Sequence, residues 1–339
     1  MSIMRDEIEE IPAAVDRLLR DGAYSLRYVG SVLRAQRPVM IATVARGSSD
    51  HAAAFIKYAF ELVAGLPVAS IGPSVASIYG RELDLSRCAT IAISQSGQSP
   101  DITSMVQAAR ASGGLTIALT NTPGSPLADA VEIGVDLRAG AERSVAATKT
   151  FVNSVVAGLA ILAHAAESSR LEAALAELPS ALEGALRCDW FPLADALDDA
   201  TSMFVLGRGP GLAIAAEAAL KFKETSALHA EAYSAAEVMH GPARIVERGF
   251  PILALTAADA AEVFVAEVVD RLAGQGARSF VTSTRSKSAV ALPVAGTGEP
   301  VTSTLALIVS FYAFVEAFSR RRGFDPDKPP HLRKVTETT

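Results

Sequence analysis

The chain repeats its strand signals at one fixed spacing, and this constrains its fold more than any other feature. Met40–Gly47 (MIATVARG) and Ser202–Gly209 (SMFVLGRG) are apolar runs ending in Arg-Gly, each leading into an alanine-rich stretch. Arg46 falls on Arg208, a shift of 162 residues. The same shift carries the strand ending at Ser94 onto Ile252–Thr256, Gly114 onto Gly276 and Thr120 onto Thr282. Strands alternating with helical stretches indicate βαβ units and parallel sheets. The expectation is an α/β protein of two sandwich domains with flavodoxin-like or Rossmann-like layering. The divisions expected are an N-terminal helical segment (1–29), a first domain (30–165), a helical connection (166–189), a second domain (190–322) and a tail (323–339). At 339 residues the chain is long enough for two filled cores.

The copies differ after their second strand. The first carries Ile93-Ser-Gln-Ser-Gly-Gln-Ser-Pro-Asp101, three serines, two glutamines and a glycine within one turn, whereas the second has only Thr256-Ala-Ala-Asp-Ala. Cys88–Ile93 reads as a buried strand, and Asp101–Ser112 as a helix with Ile102, Met105, Val106 and Ala109 on its inner face. Ser99 at N-cap, Pro100 at N1 and an acid in the first turn form a helix-start signature. Unpaired amides and the positive helix end would point into the loop, as in many phosphate sites. Ser94, Ser96 and Ser99 add hydroxyls, and Gly97 permits close backbone approach. No lysine or arginine lies inside the loop, so an anion would rest on neutral donors. The loop alone reads equally as a serine-rich cap. Gly47-Ser48-Ser49, after a strand of the same sheet, offers a second set of hydroxyls and favours the anion. Other phosphate motifs fit worse: GAERSVAATKT lacks Walker spacing, and GRGPG has Leu212 where a dinucleotide fingerprint needs its third glycine.

Composition narrows the remaining classes. A net charge of −6 and a pI near 5.5 leave no electrostatic footprint for nucleic acid. Cys88 and Cys188 have no metal-ligand spacing, and such sparse cysteine suits a reducing cytoplasm. The acidic, amphipathic start MSIMRDEIEEIPAAVDRLL resembles neither a signal nor a transit peptide. The apolar stretches near Val155–Ala165 and Leu305–Phe314 read as core helices and not membrane spans. The expectation is a soluble cytoplasmic protein with no membrane or nucleic-acid partner, no metal and no cofactor.

The ordered motifs ARGSSDHAA, ISQSGQSPD, ALTNTPGSPLA, SVAATKTF, GRGPGLAIAAEAALKFKETSALHAEAY, EVMHGP and LRKVTET span the chain from about residue 40 to the C-terminus. Together they resemble the tandem sugar-isomerase (SIS) domain family, especially the isomerase part of glucosamine-6-phosphate synthase and the stand-alone SIS-type glucosamine-6-phosphate deaminases. The resemblance implies a homodimer that binds a hexose 6-phosphate. It assigns the phosphate to Ser94, Gln95, Ser96 and Ser99, with Ser48 and Ser49 beside them. It places Thr148 in the sugar pocket, where Ala147 stands in place of the synthase's usual serine.

The chemistry is expected from the second domain. Moving a carbonyl between C1 and C2 needs a base that takes a proton from one carbon and returns it to the other. Glu224 and Lys221 share a helix face at i,i+3 spacing, which alone would suit a surface ion pair. The resemblance makes Glu224 the proton shuttle and Lys221 the residue that orients it and contacts the open-chain sugar. His240 precedes Gly-Pro, where a helix must stop, on a turn suited to proton transfer near neutrality. By resemblance it opens the ring and reaches into the partner subunit's site. Lys334 matches the lysine of a C-terminal tail that folds over the substrate as a lid. His51, His164, His229 and His331 read as structural.

The chain reaches its first SIS motif by residue 40, and no upstream glutaminase domain is expected. The expected reaction is therefore deamination of glucosamine 6-phosphate to fructose 6-phosphate and ammonia. A plain aldose–ketose phosphate isomerase, a fructosamine-phosphate deglycase and a non-enzymatic sugar-phosphate sensor are the alternatives.

Overall fold

The computed structural model describes residues 2–334, so the last four residues of the tail motif, 335–338, lie outside the described residues. Two five-stranded sheets organise the chain, and every pairing within them is parallel. The first contains β1 (Met40–Val44), β2 (Val68–Ser70), β3 (Cys88–Ser94), β4 (Leu115–Thr120) and β5 (Ile133–Asp136), in the order β2-β1-β3-β4-β5. The second contains β6 (Ser202–Gly207), β7 (His229–Ser234), β8 (Pro251–Leu255), β9 (Arg278–Val281) and β10 (Val290–Ala291), in the order β7-β6-β8-β9-β10. The α/β expectation holds. Both orders reverse direction beside their first strand, which opens a crevice at the carboxyl ends of the strands.

The central strands β3 and β4 are buried along their whole length and read as continuous apolar runs, as a sheet covered on both faces requires. The helix after β3 is Pro100–Ala111, and its inner face is Ile102, Met105, Val106 and Ala109, as the periodicity predicts. The helix Lys149–Ala165 is buried from Lys149 to Ala163 and packs against Ala23–Gln36 and Ser48–Ala64. In the second sheet's unit the corresponding brace is Pro300–Arg321, packed against Pro210–Ser226. Pro300–Arg321 is long and apolar enough to cross a membrane, but 89% of its apolar window is buried inside the protein. Phe222 meets Phe311 edge-on at 5.0 Å and lies near Phe314 and Phe318, so an aromatic cluster fixes the two helices together.

The shift of 162 residues extends to the helices. Ser48–Ala64 falls on Pro210–Ser226, and the two N-cap glycines share one conformation, φ 56° and ψ −134° at Gly47 and φ 58° and ψ −134° at Gly209. This region is closed to residues with a side chain, so the same sharp strand-to-helix turn needs glycine at both places.

The compact units are discontinuous in sequence. The first-sheet unit comprises Ala13–Glu142, Lys149–Ala176 and, of the tail, Arg333 and Lys334. The second-sheet unit comprises residues 2–12, Arg143–Thr148 and Glu177–Leu332. The short helix Ile3–Glu9 packs on Pro300–Arg321 in this second unit.

Both long helices after the first strand end in a left-handed residue, Gly65 at φ 63° and Ala227 at φ 48°. An L-residue pays about 1–2 kcal/mol to sit there. Ala227→Gly is therefore expected to raise the unfolding free energy by about 0.5–1 kcal/mol after glycine's extra chain entropy is subtracted. The check is the urea midpoint, and an unchanged or lower midpoint would contradict the strain.

Candidate functional site

In the first-sheet unit, β1 and β3 lie side by side with Val44 opposite Ala92, so the chain leaves both strands at the same edge. Gly47-Ser48-Ser49 and the loop Ser94–Ser99 thus emerge as neighbours. Arg46 joins them: its guanidinium pairs with the carboxylate of Asp101, whose side chain is fully buried. The sequence offered Arg46 and Asp101 as adjuncts of two separate motifs, and only the parallel register brings them together. Because Arg46 is held by Asp101, the loop presents neutral donors.

The loop's own hydrogen bonds fix its shape. Gly97 N–H donates to Ser94 Oγ at 3.1 Å, and Gln98 N–H donates to Ser96 Oγ at 3.3 Å. Gln95 contributes its carbonyl to the next loop, accepting from Asn121 N–H at 3.2 Å and Thr122 Oγ1 at 3.3 Å. Gly97 has φ 63°, and a Cβ there would stand 2.1 Å from Ser125 Oγ. Glycine is required on both counts. Ser99 occupies the N-cap position ahead of Pro100 and Asp101, as the helix-start signature predicts, and its hydroxyl makes no cap hydrogen bond. Its backbone φ of −71° and ψ of 114° suffices to begin the helix behind Pro100. Ser48 and Ser49, half-buried, open the helix Ser48–Ala64, with Asp50 in its first turn. Burial pushes the Asp50 carboxyl above its ordinary range, against the opposing pull of His51 and Arg46.

The same unit receives the tail. Lys334 Nζ donates to Glu142 Oε2 at 3.0 Å. The Glu142 side chain is fully buried and also accepts Thr150 N–H at 3.0 Å and Thr150 Oγ1 at 2.6 Å. Glu142 therefore caps the helix Lys149–Ala165 and anchors the tail lysine. Nothing local in sequence announces this carboxylate, because Lys334 is 192 residues away.

The second-sheet unit holds the other group of candidates. Lys221, Glu224 and Glu217 lie on one face of Pro210–Ser226. The Lys221 side chain is 1% exposed and lies between two carboxylates, in contact with Glu224 and 3.5 Å from Glu217 Oε1. Glu217 is fully buried and accepts Tyr312 O–H at 3.0 Å, whereas Glu224 is 22% exposed. An enclosed ammonium pinned by Glu217 can orient Glu224, and Glu224 can still reach a ligand. The spacing Glu-x3-Lys-x2-Glu could have revealed Glu217.

His240, itself exposed, ends the turn Glu237–His240 beyond the carboxyl end of β7. The helix carrying Glu224 runs the other way, from the carboxyl end of β6 back to the start of β7. Glu224 is thus roughly 20 Å along the helix from the edge where His240 sits. One chain's fold does not bring these two side chains together. Thr148 is buried and Ala147 half-buried in the segment Arg143–Thr148. That segment is held by Glu7 of the N-terminal helix, whose carboxylate accepts Arg143 N–H, Ser144 N–H at 3.3 Å and Ser144 Oγ at 2.5 Å. Sequence reasoning passed over Glu7. Among the described residues, no group of three or more His, Cys, Asp or Glu side chains could hold a metal ion.

The SIS domain model matches residues 35–164 and again 196–291. A glutamine–fructose-6-phosphate aminotransferase (isomerizing) from Aeropyrum pernix is 33% identical across 98% of this chain and 56% of its own length. The corresponding Pyrobaculum aerophilum protein is 35% identical across 91% of this chain and 52% of its own. The chain thus spans about half the length of the curated relatives it matches. Among solved structures, a candidate phosphosugar isomerase from Silicibacter pomeroyi is 53% identical, covers 96% of this chain and 100% of its own, and superposes with a TM-score of 0.94. A glucosamine-6-phosphate deaminase from Thermotoga maritima shares the fold, with a TM-score of 0.79 at 20% identity across 99% of this chain and 100% of its own.

If the Ser94–Ser99 loop is an anion site, Gly97→Ala must displace Ser125 or the loop itself. Affinity for inorganic phosphate is expected to fall about tenfold or more, the scale of one lost charge-assisted hydrogen bond. Calorimetry on a variant with wild-type circular dichroism checks this, and an unchanged Kd would contradict it.

Proposed function

The chain belongs to the SIS-domain family, and from that premise we propose that it isomerises and deaminates a hexosamine 6-phosphate, converting glucosamine 6-phosphate and water to fructose 6-phosphate and ammonia. The observation that carries this reading is the Glu217–Lys221–Glu224 array, a partly exposed carboxylate oriented by a buried ammonium. The matched aminotransferases, named for an isomerising reaction on fructose 6-phosphate, support the substrate class.

In this mechanism Ser94, Gln95, Ser96 and Ser99, with Ser48 and Ser49, hold the phosphate at the positive end of Pro100–Ala111. Thr148 and Ala147 line the sugar pocket. His240 assists ring opening to the aldehyde. Glu224 then takes the proton from C2, giving an enolamine as the C1 oxygen gains a proton. Returning the proton to C1 while the nitrogen loses one forms the C2 imine. Water adds to that imine, and ammonia leaves as the ketone forms. Lys221 orients Glu224 and offsets the developing negative charge. Lys334, docked on Glu142, closes the tail over the site.

We further propose that the working unit is a homodimer. The separation of Glu224 from His240 along one chain supports this, because a second copy can supply the imidazole.

Purified protein given glucosamine 6-phosphate is expected to release ammonia and fructose 6-phosphate in equal amounts, and Glu224→Gln to lose about 10²-fold or more in kcat, the scale of a general base. Aldose–ketose interconversion without ammonia would replace the deaminase with a plain isomerase. No turnover, despite thermal stabilisation by the sugar phosphate, would point to a sensor.

Complementation tests the shared site. Glu224→Gln and His240→Ala proteins, each inactive alone, are expected to recover about a quarter of wild-type activity when unfolded and refolded together, because half the dimers then carry one intact site. No recovery in refolded mixed dimers would place both groups in one chain's site.

A further inference from the structure

The second-sheet unit contains a cavity of about 340 Å³ at the carboxyl ends of β8 and β9, within the size range of small-molecule sites. Shifted by 162 residues, its lining matches the first unit's candidate anion loop: Thr256 falls on Ser94, Thr282 on Thr120 and Glu262 on Pro100. The topological position is the same, but the chemistry is inverted. The serine-rich loop has gone, and a carboxylate stands at the first residue of the helix Glu262–Gly274.

Among the groups bonded around this cavity, the second oxygen of the Glu262 carboxylate receives no hydrogen bond. Thr282 Oγ1 accepts Thr256 N–H and donates to Thr256 C=O, both at 2.8 Å, while Thr256 Oγ1 donates to Ala257 C=O at 3.3 Å. Ser283 Oγ donates to Glu262 Oε1 at 2.7 Å. Among the described residues, Glu262 Oε2 faces Arg285 Nε at 3.8 Å, beyond hydrogen-bond range, and the Arg285 side chain is 65% exposed against 15% for Glu262. A solvated arginine at that distance is easily displaced. The positive end of its helix favours the ionised carboxylate. Leu292, Val294 and Leu307 supply apolar wall.

We propose that this cavity is a second ligand site, for a small phosphate-free amine whose ammonium pairs with Glu262 Oε2 and whose apolar body lies against Leu292, Val294 and Leu307. A phosphate ester is excluded by the carboxylate, and a bare polyol would gain nothing from the apolar wall. The inference is independent of the reaction assigned to the rest of the chain.

Calorimetry of the full chain with cyclohexylmethylamine, and with cyclohexanecarboxylate as its anionic counterpart, tests the site. The amine is expected to bind and the carboxylate not to. Glu262→Gln keeps the acceptor for Ser283 and removes the charge, so amine affinity is expected to fall about tenfold or more. Ala258→Phe obstructs the cavity without touching Glu262 and is expected to abolish binding with wild-type circular dichroism retained. Equal binding of amine and carboxylate, no amine binding at millimolar concentration, or undiminished binding in either variant would overturn the proposal.

Discussion

All strands within each sheet point one way, and the rest of the structure follows from that constraint. A parallel strand can be followed by its neighbour only after the chain has returned through a crossover, here usually a helix, so every strand delivers its loop to one edge. In the first sheet that edge gathers Ser48, Ser49 and the Ser94–Ser99 loop, and the Arg46–Asp101 pair holds them side by side. In the second sheet it gathers the Glu262 cavity and His240, while the returning helix carries Glu224 to the opposite edge. The delivery of Glu224 and His240 to opposite edges is a direct result of the crossover and needs no special device.

Burying Lys221 imposes a second constraint. An ammonium removed from water is tolerated only when paired, and removing one partner from such a group is strongly destabilising. Glu217 and Glu224 provide two carboxylates, of which one is sealed in with Tyr312 and the other keeps contact with solvent. The sealed carboxylate balances the charge, and the open one stays within reach of solvent. The aromatic packing of Phe222 against Phe311, Phe314 and Phe318 maintains this asymmetry by holding Pro300–Arg321 over the inner face.

The fold was legible where its determinants are local. Apolar runs, helix periodicity and the constant shift marked both sheets' inner strands, and Ser99-Pro100 marked the correct helix start. Ser99 begins the helix by its backbone conformation, without the side-chain bond that usually accompanies an N-cap serine. The groups missed are those whose partners are remote. Glu7 binds Ser144 across 137 positions, and Glu142 meets Lys334 across 192. Periodicity carries no trace of such pairs. Glu217 is an intermediate case: its spacing from Lys221 was visible, but its burial depends on a helix 95 residues further on.

The discontinuity of the two units bears on how the chain matures. Met4, Ile8 and Ile11 are synthesised before the first sheet, yet they belong to a unit most of which is encoded beyond Glu177. The first sheet can close while these apolar side chains still wait for theirs. A segment made ahead of the first sheet is therefore packed after it, and a nascent-chain chaperone would meet its apolar surface upstream of a sheet that has already closed.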